Sequence, residues 1–469
     1  MPSVKKALSY VKHYGLKSAI GLAGEKYFVD KKRFSPDKKR SMPEFKKSYT
    51  RAKLPALLST NKAYTPLTVM YLIHYFYPSK KGGTERFTLN LAKEQAKMGN
   101  NPIVLVLEAN ESEGIYTESL GNILFRYYEY DGISCIAFRH KKAPLGLYYK
   151  EVNLSDNEMV RFAKYITERH SVDVIHATYP QPFSSFLIAC RDMKIPYIIT
   201  CTDFCMMCHY STLVDKNGDF CNSTDNGERC SKICKTFGCS DFSGRRQRAI
   251  EVLRGAELVT VPSEFVARVI GNEYPEIAFV PVAHGISSAF QFSERKGQPR
   301  RFVYAGTLSA LKGVHMLIDA FNSCAIPGAK LDIYGEGDES YVGMLKAKAT
   351  NLVKFHGAVA GDQMPKIYSE ADCVIIPSMW YETYNFVLRE ALMTGALALS
   401  ADIGAMPEAV DDGENGYLFA PADKESLAQA LRKAFKFDFS KYKKRSFPTL
   451  REEAEIYFAA YHAAYEKNG

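Results

Sequence analysis

The chain has 469 residues, 46% of them apolar and 13% aromatic. It is too long for one ordinary core and too apolar to be disordered, so two or three folded domains are expected. No apolar run approaches the roughly 18 residues of a membrane-spanning helix, and the basic start lacks the unbroken apolar core of a secretory signal, which places the chain in the cytoplasm.

The formal net charge of +9 is confined to one end. Residues 1–65 hold 16 Lys and Arg against 4 Asp and Glu, and the remainder holds 45 against 48. Within this extension Val4, Ala7, Leu8 and Val11 fall at helical spacing, with Lys5, Lys6 and Lys12 between them. Two readings stay open: a basic amphipathic segment on an anionic membrane surface, or an arm packed on the body. Nucleic acid is not expected, because the body carries no basic surplus to continue a groove.

From residue 66 apolar runs alternate with amphipathic segments. LTVMYLIHYFYP predicts a buried strand, TERFTLNLAKEQAKMG a helix and IVLVLEA a strand. FRYYEYDGISCIAFRH predicts a hairpin turning at Asp131-Gly132. NEMVRFAKYITERH (helix), VDVIHA (strand), FSSFLIACRDM (helix) and YIITCTD (strand) follow. A polar segment dense in cysteine then reads as a loop insertion at 201–240. After it come RRQRAIEVLRGA, LVTVPS, EFVARVIG and AFVPVA, alternating helix and strand. SSAFQFSERKGQPR is a turn-rich linker, and behind it the alternation restarts at FVYAG and runs to SLAQALRKAFK, with a last helix in LREEAEIYFAAYHAAYEK. Two such series predict two Rossmann-like α/β domains, at 66–290 and 299–450, followed by a helix at 451–469 that, by resemblance to a known family, would cross back to the first. Ligands of such sheets bind beyond the carboxyl ends of the strands, here in the cleft between the domains.

The most informative stretch is PSMWYETYNFVLREALMTGALALSADIGAMPEAVDDGENGYLF, residues 377–419. A strand ends in Pro377-Ser378, and Glu382 and Glu390 follow eight apart. The spacing predicts Glu382 at a helix entry and Glu390 two turns in, on roughly one side. The N–H groups near Tyr384, Asn385 and Phe386 would form a helix N-terminus suited to a diphosphate. Two glutamates at this spacing are also common on any charged helix face.

This series, down to Glu390-Ala391, Gly395, Glu408 and Gly413…Gly416, resembles the nucleotide-sugar site of retaining glycosyltransferases of family 4, which have the GT-B fold. The resemblance runs over about residues 66–435. YPSKKGGTERFTLNLAKEQAKMGN matches the family's Gly-Gly-x-Glu segment at Gly82 and Gly83, and FVYAGTLSALKGVHMLIDAF its diphosphate segment at Gly306, Lys312 and Gly313. IYGEGDE, with Gly335 and Gly337, and VKFHGAV fit its nucleotide-facing loops. The resemblance implies a sugar transfer from a nucleotide-diphosphate sugar, of unspecified base, to a glycan or lipid-linked acceptor in bacterial surface polysaccharide or glycoconjugate synthesis. In it Glu382 holds sugar hydroxyls, Glu390 the ribose and Lys312 the diphosphate, with Asp203 counted among the catalytic residues. Gly82, Gly83, Gly306, Thr307, Gly335, Tyr384, Asn385 and Phe386 line the donor, and no divalent cation is required there. The protein would then be cytoplasmic or peripheral on the inner face of the membrane. Sugar phosphorylases and epimerases share the fold, and a non-catalytic nucleotide-sugar-binding or scaffold subunit is the alternative.

Two positions depart from the family. Thr307 stands where relatives carry the arginine that partners the lysine, and Thr202, before Asp203, stands where many carry histidine. His176 fits another family position and reads first as a packed strand-end histidine.

Seven of eleven cysteines lie within residues 201–239. In a cytoplasmic chain such a cluster points to metal before disulfides, with free thiols or redox pairs as the other reading. A cysteine-rich insertion also occurs in a subset of the family, and Cys208, Cys221, Cys230 and Cys234 resemble its set. Four thiolates suit structural zinc or an iron–sulfur cluster, and Cys205 and Cys239 could exchange into the set.

Overall fold

The computed structural model describes residues 43–45, 48–58, 64–108, 115–141, 156–234 and 241–468. The amphipathic segment near Val4–Val11 and Cys239 lie outside these residues. Two sheets organise the described chain. The first contains β1 (Thr68–His74), β2 (Asn101–Leu107), β3 (Glu118–Leu120), β4 (Ile123–Tyr130), β5 (Ile133–His140), β6 (Val174–Ala177), β7 (Tyr197–Thr200), β8 (Leu258–Val261) and β9 (Val280–Pro281). Their spatial order is β3-β4-β5-β2-β1-β6-β7-β8-β9. The second contains β10 (Arg301–Ala305), β11 (Lys330–Tyr334), β12 (Val353–Gly357), β13 (Cys373–Ile376), β14 (Leu397–Ala401) and β15 (Gly416–Phe419), in the order β12-β11-β10-β13-β14-β15.

Pairing is parallel throughout the second sheet and the centre of the first. Central strands are therefore covered on both faces, which is why they read as continuous apolar runs: Val69 to Ile73 are all buried. The antiparallel exceptions are β3 with β4 and β4 with β5, the latter joined at Asp131-Gly132, where both residues have positive φ (50° and 77°). That is the hairpin turn the Asp-Gly pair predicts. The short β3, β15 and a Glu228–Ile233 helix inside the cysteine segment were not expected from periodicity. Each is too short to show one.

The helix Gly83–Lys97 buries Phe87, Thr88, Leu91, Ala92 and Gln95 along one stripe, the pattern of a helix laid on a sheet. The C-terminal helix Leu450–Asn468 packs beside it: Gln95 donates to the Ala454 carbonyl at 2.7 Å. Its tyrosines enter the first sheet's core, with the Tyr461 hydroxyl 2.6 Å from His176 Nδ1. His176 Nε2 meets the Thr200 hydroxyl at 2.7 Å, and the ring is fully buried. Burial drives its pKa down to about 3, so it is a neutral packing residue of the core.

The chain changes sheets twice, at residues 282–286 and 448–450, and the two passes pair through Ile286 and Thr449. A Cβ at Gly285 would overlap the Thr449–Leu450 backbone. Glu453 ties the crossing together, accepting from Gly285 N at 2.7 Å and lying 2.9 Å from His284 Nδ1. Part of the N-terminal extension packs on the body. Phe279 N donates to Thr50 O at 2.9 Å, and the Tyr49 hydroxyl reaches Glu264 at 2.8 Å. Among the described residues no helix is long and apolar enough to cross a membrane.

Candidate functional site

The site assembles where the carboxyl ends of β10, β11 and β13 face the start of the Gly83–Lys97 helix. Gly313, at φ 69°, fits against the Pro377 carbonyl where a Cβ could not. Met379 N donates to Leu311 O at 2.7 Å. This contact lays the 310–313 turn on the 377–379 strand end and sets Lys312 beside Glu382. Glu382 Oε1 accepts from Lys312 Nζ at 2.6 Å, Ser378 Oγ at 2.6 Å and Trp380 Nε1 at 2.8 Å, and Lys312 lies over the Trp380 ring. Burial alone would raise the Glu382 carboxyl; Lys312 and the two neutral donors outweigh it and hold the pKa below the usual range. Its backbone is held as well, with Ala405 N donating to Glu382 O at 2.8 Å beside Gly404, φ 66°.

The helix does not begin at Glu382. It spans Phe386–Met393, with Asn385 as N-cap, φ 65°, its side chain accepting from Leu388 N at 2.9 Å. Glu382 therefore lies in the loop four residues ahead and does not share a helix face with Glu390; the i, i+8 reasoning fails because the cap falls after Tyr384. Glu390 sits in the second turn, 2% exposed. Its carboxylate is paired across the cleft with Arg86 of the Gly83–Lys97 helix, whose guanidinium also lies 4.6 Å from the Phe386 ring centroid. Burial pushes the Glu390 carboxyl up, and Arg86 opposes that shift.

Of the remaining expected donor-side residues, Gly83 approaches the Phe386 ring, which lies 3.9 Å from the position of a Cβ there. Gly82 is the N-cap of the Gly83–Lys97 helix, in extended conformation; a side chain there would overlap the Glu85 carboxylate folded back on it. Gly306 and Gly335, φ 147° and 141°, meet at neighbouring strand ends, and Gly306 N donates to Tyr334 O at 3.0 Å. The Thr307 carbonyl accepts from the Tyr304 hydroxyl at 2.8 Å. Tyr384 is turned away: its hydroxyl bonds the His284 carbonyl at the domain crossing and its ring covers Arg389.

The cleft's first-domain wall comes from the end of β7. Asp203 Oδ1 accepts from Cys205 N at 2.8 Å, and burial raises its carboxyl to about 6. Thr202 donates to Thr178 O at 3.1 Å, accepts from the Thr84 hydroxyl at 2.9 Å, and presents its carbonyl to the Thr383 hydroxyl at 2.8 Å. Sequence reasoning missed this interdomain seam. Ser263 donates to Thr383 O at 2.8 Å, and Glu408 accepts from Phe265 N at 2.5 Å, capping a first-domain helix. Arg86 was missed too; its only signal was its place directly after the Gly-Gly-x-Glu segment.

The cysteine segment corrects the metal expectation. Among the described residues, no three His, Cys, Asp or Glu side chains are disposed to hold a metal ion. Burial pushes the Cys221 thiol up to about 12 and the Cys230 thiol upward, with neighbouring thiols adding to both shifts. Zinc and iron–sulfur find no support in the arrangement. What the segment visibly does is pack: Phe220 meets Tyr381 from the 377–384 loop at 4.9 Å, and Phe265 meets the same ring at 5.4 Å.

Two family descriptions match in the order of the two sheets, "Glycosyltransferase Family 4" over residues 81–213 and "Glycosyl transferases group 1" over residues 286–446. The chain belongs to the group 1 and family 4 glycosyltransferases. Its relatives among characterised members are distant. The Mycobacterium tuberculosis glycogen synthase is 31% identical over 159 residues, covering 32% of this chain and 38% of that enzyme. The phosphatidyl-myo-inositol mannosyltransferase of Mycobacterium leprae is 28% identical, covering 43% and 49%. The chain thus spans less than half the length of these curated relatives in each match. Among solved structures, Anabaena HepE in complex with UDP superposes with a TM-score of 0.55 at 18% identity, covering 86% of this chain and 98% of that one. Sucrose-phosphate synthase from Thermosynechococcus elongatus gives 0.55 at 16%, covering 85% and 97%. This glycosyltransferase therefore has the two-domain GT-B fold.

Proposed function

We propose that this glycosyltransferase is a retaining enzyme that moves a sugar from a nucleotide-diphosphate donor to a glycan or lipid-linked acceptor, in bacterial surface polysaccharide or glycoconjugate synthesis. The observation that carries the reading is the grouping of Lys312, Glu382 and Glu390 around the N-terminus of the Phe386–Met393 helix. The helix terminus and Lys312 offer positive charge to a diphosphate. Glu382, ionised and fixed by three donors, accepts hydrogen bonds from sugar hydroxyls, and Glu390 from the ribose. Neither carboxylate is placed to be a mobile base, which suits front-face transfer. The bond from the anomeric carbon to the phosphate oxygen breaks with its electrons leaving on the diphosphate. The acceptor oxygen bonds the same face of that carbon, and its proton passes to the departing phosphate oxygen. Asp203 would stand on the acceptor side of the seam. Lys312 and the helix terminus supply the counter-charge, so the reading requires no divalent cation.

Release of nucleoside diphosphate from a panel of UDP-, GDP-, ADP- and dTDP-sugars tests this. One donor is expected to turn over, and Glu382→Gln to reduce that turnover by about 100-fold or more. Nucleotide binding without turnover across the panel would favour the non-catalytic alternative, and no binding at all would overturn the site.

A further inference from the structure

The two glutamates of the site are neutralised in different ways. Glu382 is satisfied wholly from its own domain. Glu390 is 2% exposed, and its carboxylate is held by a cation from the other domain. Arg86 contacts one carboxylate oxygen, Oε1, and a ribose that engages both oxygens through its two hydroxyls would compete with the guanidinium for it. The released guanidinium has a defined place to go. It already lies over the ring of Phe386, the first residue of the helix whose N-terminus would receive the diphosphate. The remaining arginine nearby is committed elsewhere: Arg389 is buried and donates to the Tyr384 and Ala405 carbonyls. Lys312 is the second-domain cation paired with Glu382 beside this entry, and position 307 offers none.

We propose that Arg86 is a donor-binding residue that exchanges partners, pairing with Glu390 in the empty cleft and with the donor diphosphate in the occupied one. The proposal rests on the donor reading above. The guanidinium is a planar fork that can span two phosphate oxygens, and it would complete the charge balance that Lys312 alone leaves short. Because Arg86 comes from the first domain, the exchange keeps an ionic link across the cleft in both states. Donor binding would therefore not have to open the interface to gain its second cation.

The test compares nucleoside diphosphates with their nucleosides. Calorimetric titrations of wild type, Arg86→Met and Arg86→Lys use UDP, GDP, ADP and dTDP, and the matching nucleosides are read as competitors. Thermal melts check that each variant is folded. For the nucleotide that binds, Arg86→Met is expected to weaken the diphosphate about 10- to 100-fold. The nucleoside should be unchanged or tighter, because Glu390 is then vacated. Arg86→Lys, which keeps charge without the fork, should lie between. The diphosphate effect should shrink as salt is raised. Equal weakening of diphosphate and nucleoside would mean that Arg86 only shapes the interface, and tighter diphosphate binding that it only competes for Glu390; either overturns the proposal. An unchanged affinity in a wild-type background that binds would overturn it alone. A wild type that binds none of the four nucleotides would overturn the donor reading and this inference together.

Discussion

Residues 377–390 and residues 201–234 are the two stretches densest in chemically suggestive side chains, and they fold to different ends. The first turns its polar groups inward on one another around a helix start, so that Lys312, Ser378 and Trp380 converge on one carboxylate oxygen. The second buries or half-buries its thiols without disposing three ligands together among the described residues, and its clearest contact with the site is a phenyl ring against Tyr381. Residue type alone does not separate chemistry from packing. Convergence does: Glu382 is a carboxylate toward which three donors point, and among the described residues the cysteines show no comparable grouping of three ligands.

The sharpest way to break this contrast is at Lys312. If the 377–390 cluster is a preorganised electrostatic site, Lys312→Met should cost about 100- to 1,000-fold in kcat/KM for the donor found in the panel. It should also lower stability, because Glu382 is left buried with neutral donors only. Lys312→Met combined with Glu382→Gln should recover much of that stability in urea titrations while remaining inactive. Recovery of activity in the double variant would show that the pair is a packing feature like the cysteines.

The contrast also marks what could be read from sequence. The alternation of buried strands and amphipathic helices reveals two parallel sheets because central strands must be apolar on both faces and helices on one, and that pattern is local. Lys312 and Glu382 were singled out by the resemblance of their segments to a known family, and the approach of Gly313 to the Pro377 carbonyl is what brings their two loops together. Three features were not legible. The helix start at Phe386 depends on Asn385 adopting a positive φ as N-cap, a choice that competes with several capping residues nearby. The Arg86–Glu390 and Glu408–Phe265 contacts depend on how two domains face each other, which no periodicity encodes. The thiol arrangement depends on loop geometry, and cysteine spacing is compatible with several geometries.

Tyr381 links the two stretches, and the next prediction sharpens the comparison there. Its ring is 1% exposed and packs among Phe45, Phe220 and Phe265. Tyr381→Ala should cost about 3 kcal/mol of stability through the cavity left behind, measured by denaturant titration. Tyr381→Phe should cost little, since the hydroxyl has no hydrogen-bond partner among the described residues. If the cysteine segment serves by buttressing the Glu382 loop, Tyr381→Ala should also raise the donor's KM while Tyr381→Phe does not. A stable Tyr381→Ala variant with unchanged KM would separate the two stretches entirely.

The smallest expected effect concerns Asp203, at the head of the cysteine stretch. Burial holds its folded-state carboxyl near 6, with Glu85 adding to the shift and the Cys205 N–H and Arg245 opposing it. The unfolded carboxyl titrates near the ordinary value of about 3.9. A raised folded pKa means that the native state binds the proton more tightly, so this contribution to stability is complete below about pH 4 and is lost as pH rises through 6. Asp203→Asn removes the titration. Relative to wild type the variant should therefore gain about 1–2 kcal/mol between pH 4.5 and pH 8, less than full burial would give, because Asp203 retains some access to solvent. Glu85, whose carboxyl burial also raises, contributes the same sign in both proteins and largely cancels in the difference. A variant whose stability falls relative to wild type toward pH 8 would mean that the ionised carboxylate is stabilised there. That would make this wall of the cleft a charged site of the same kind as the Glu382 cluster.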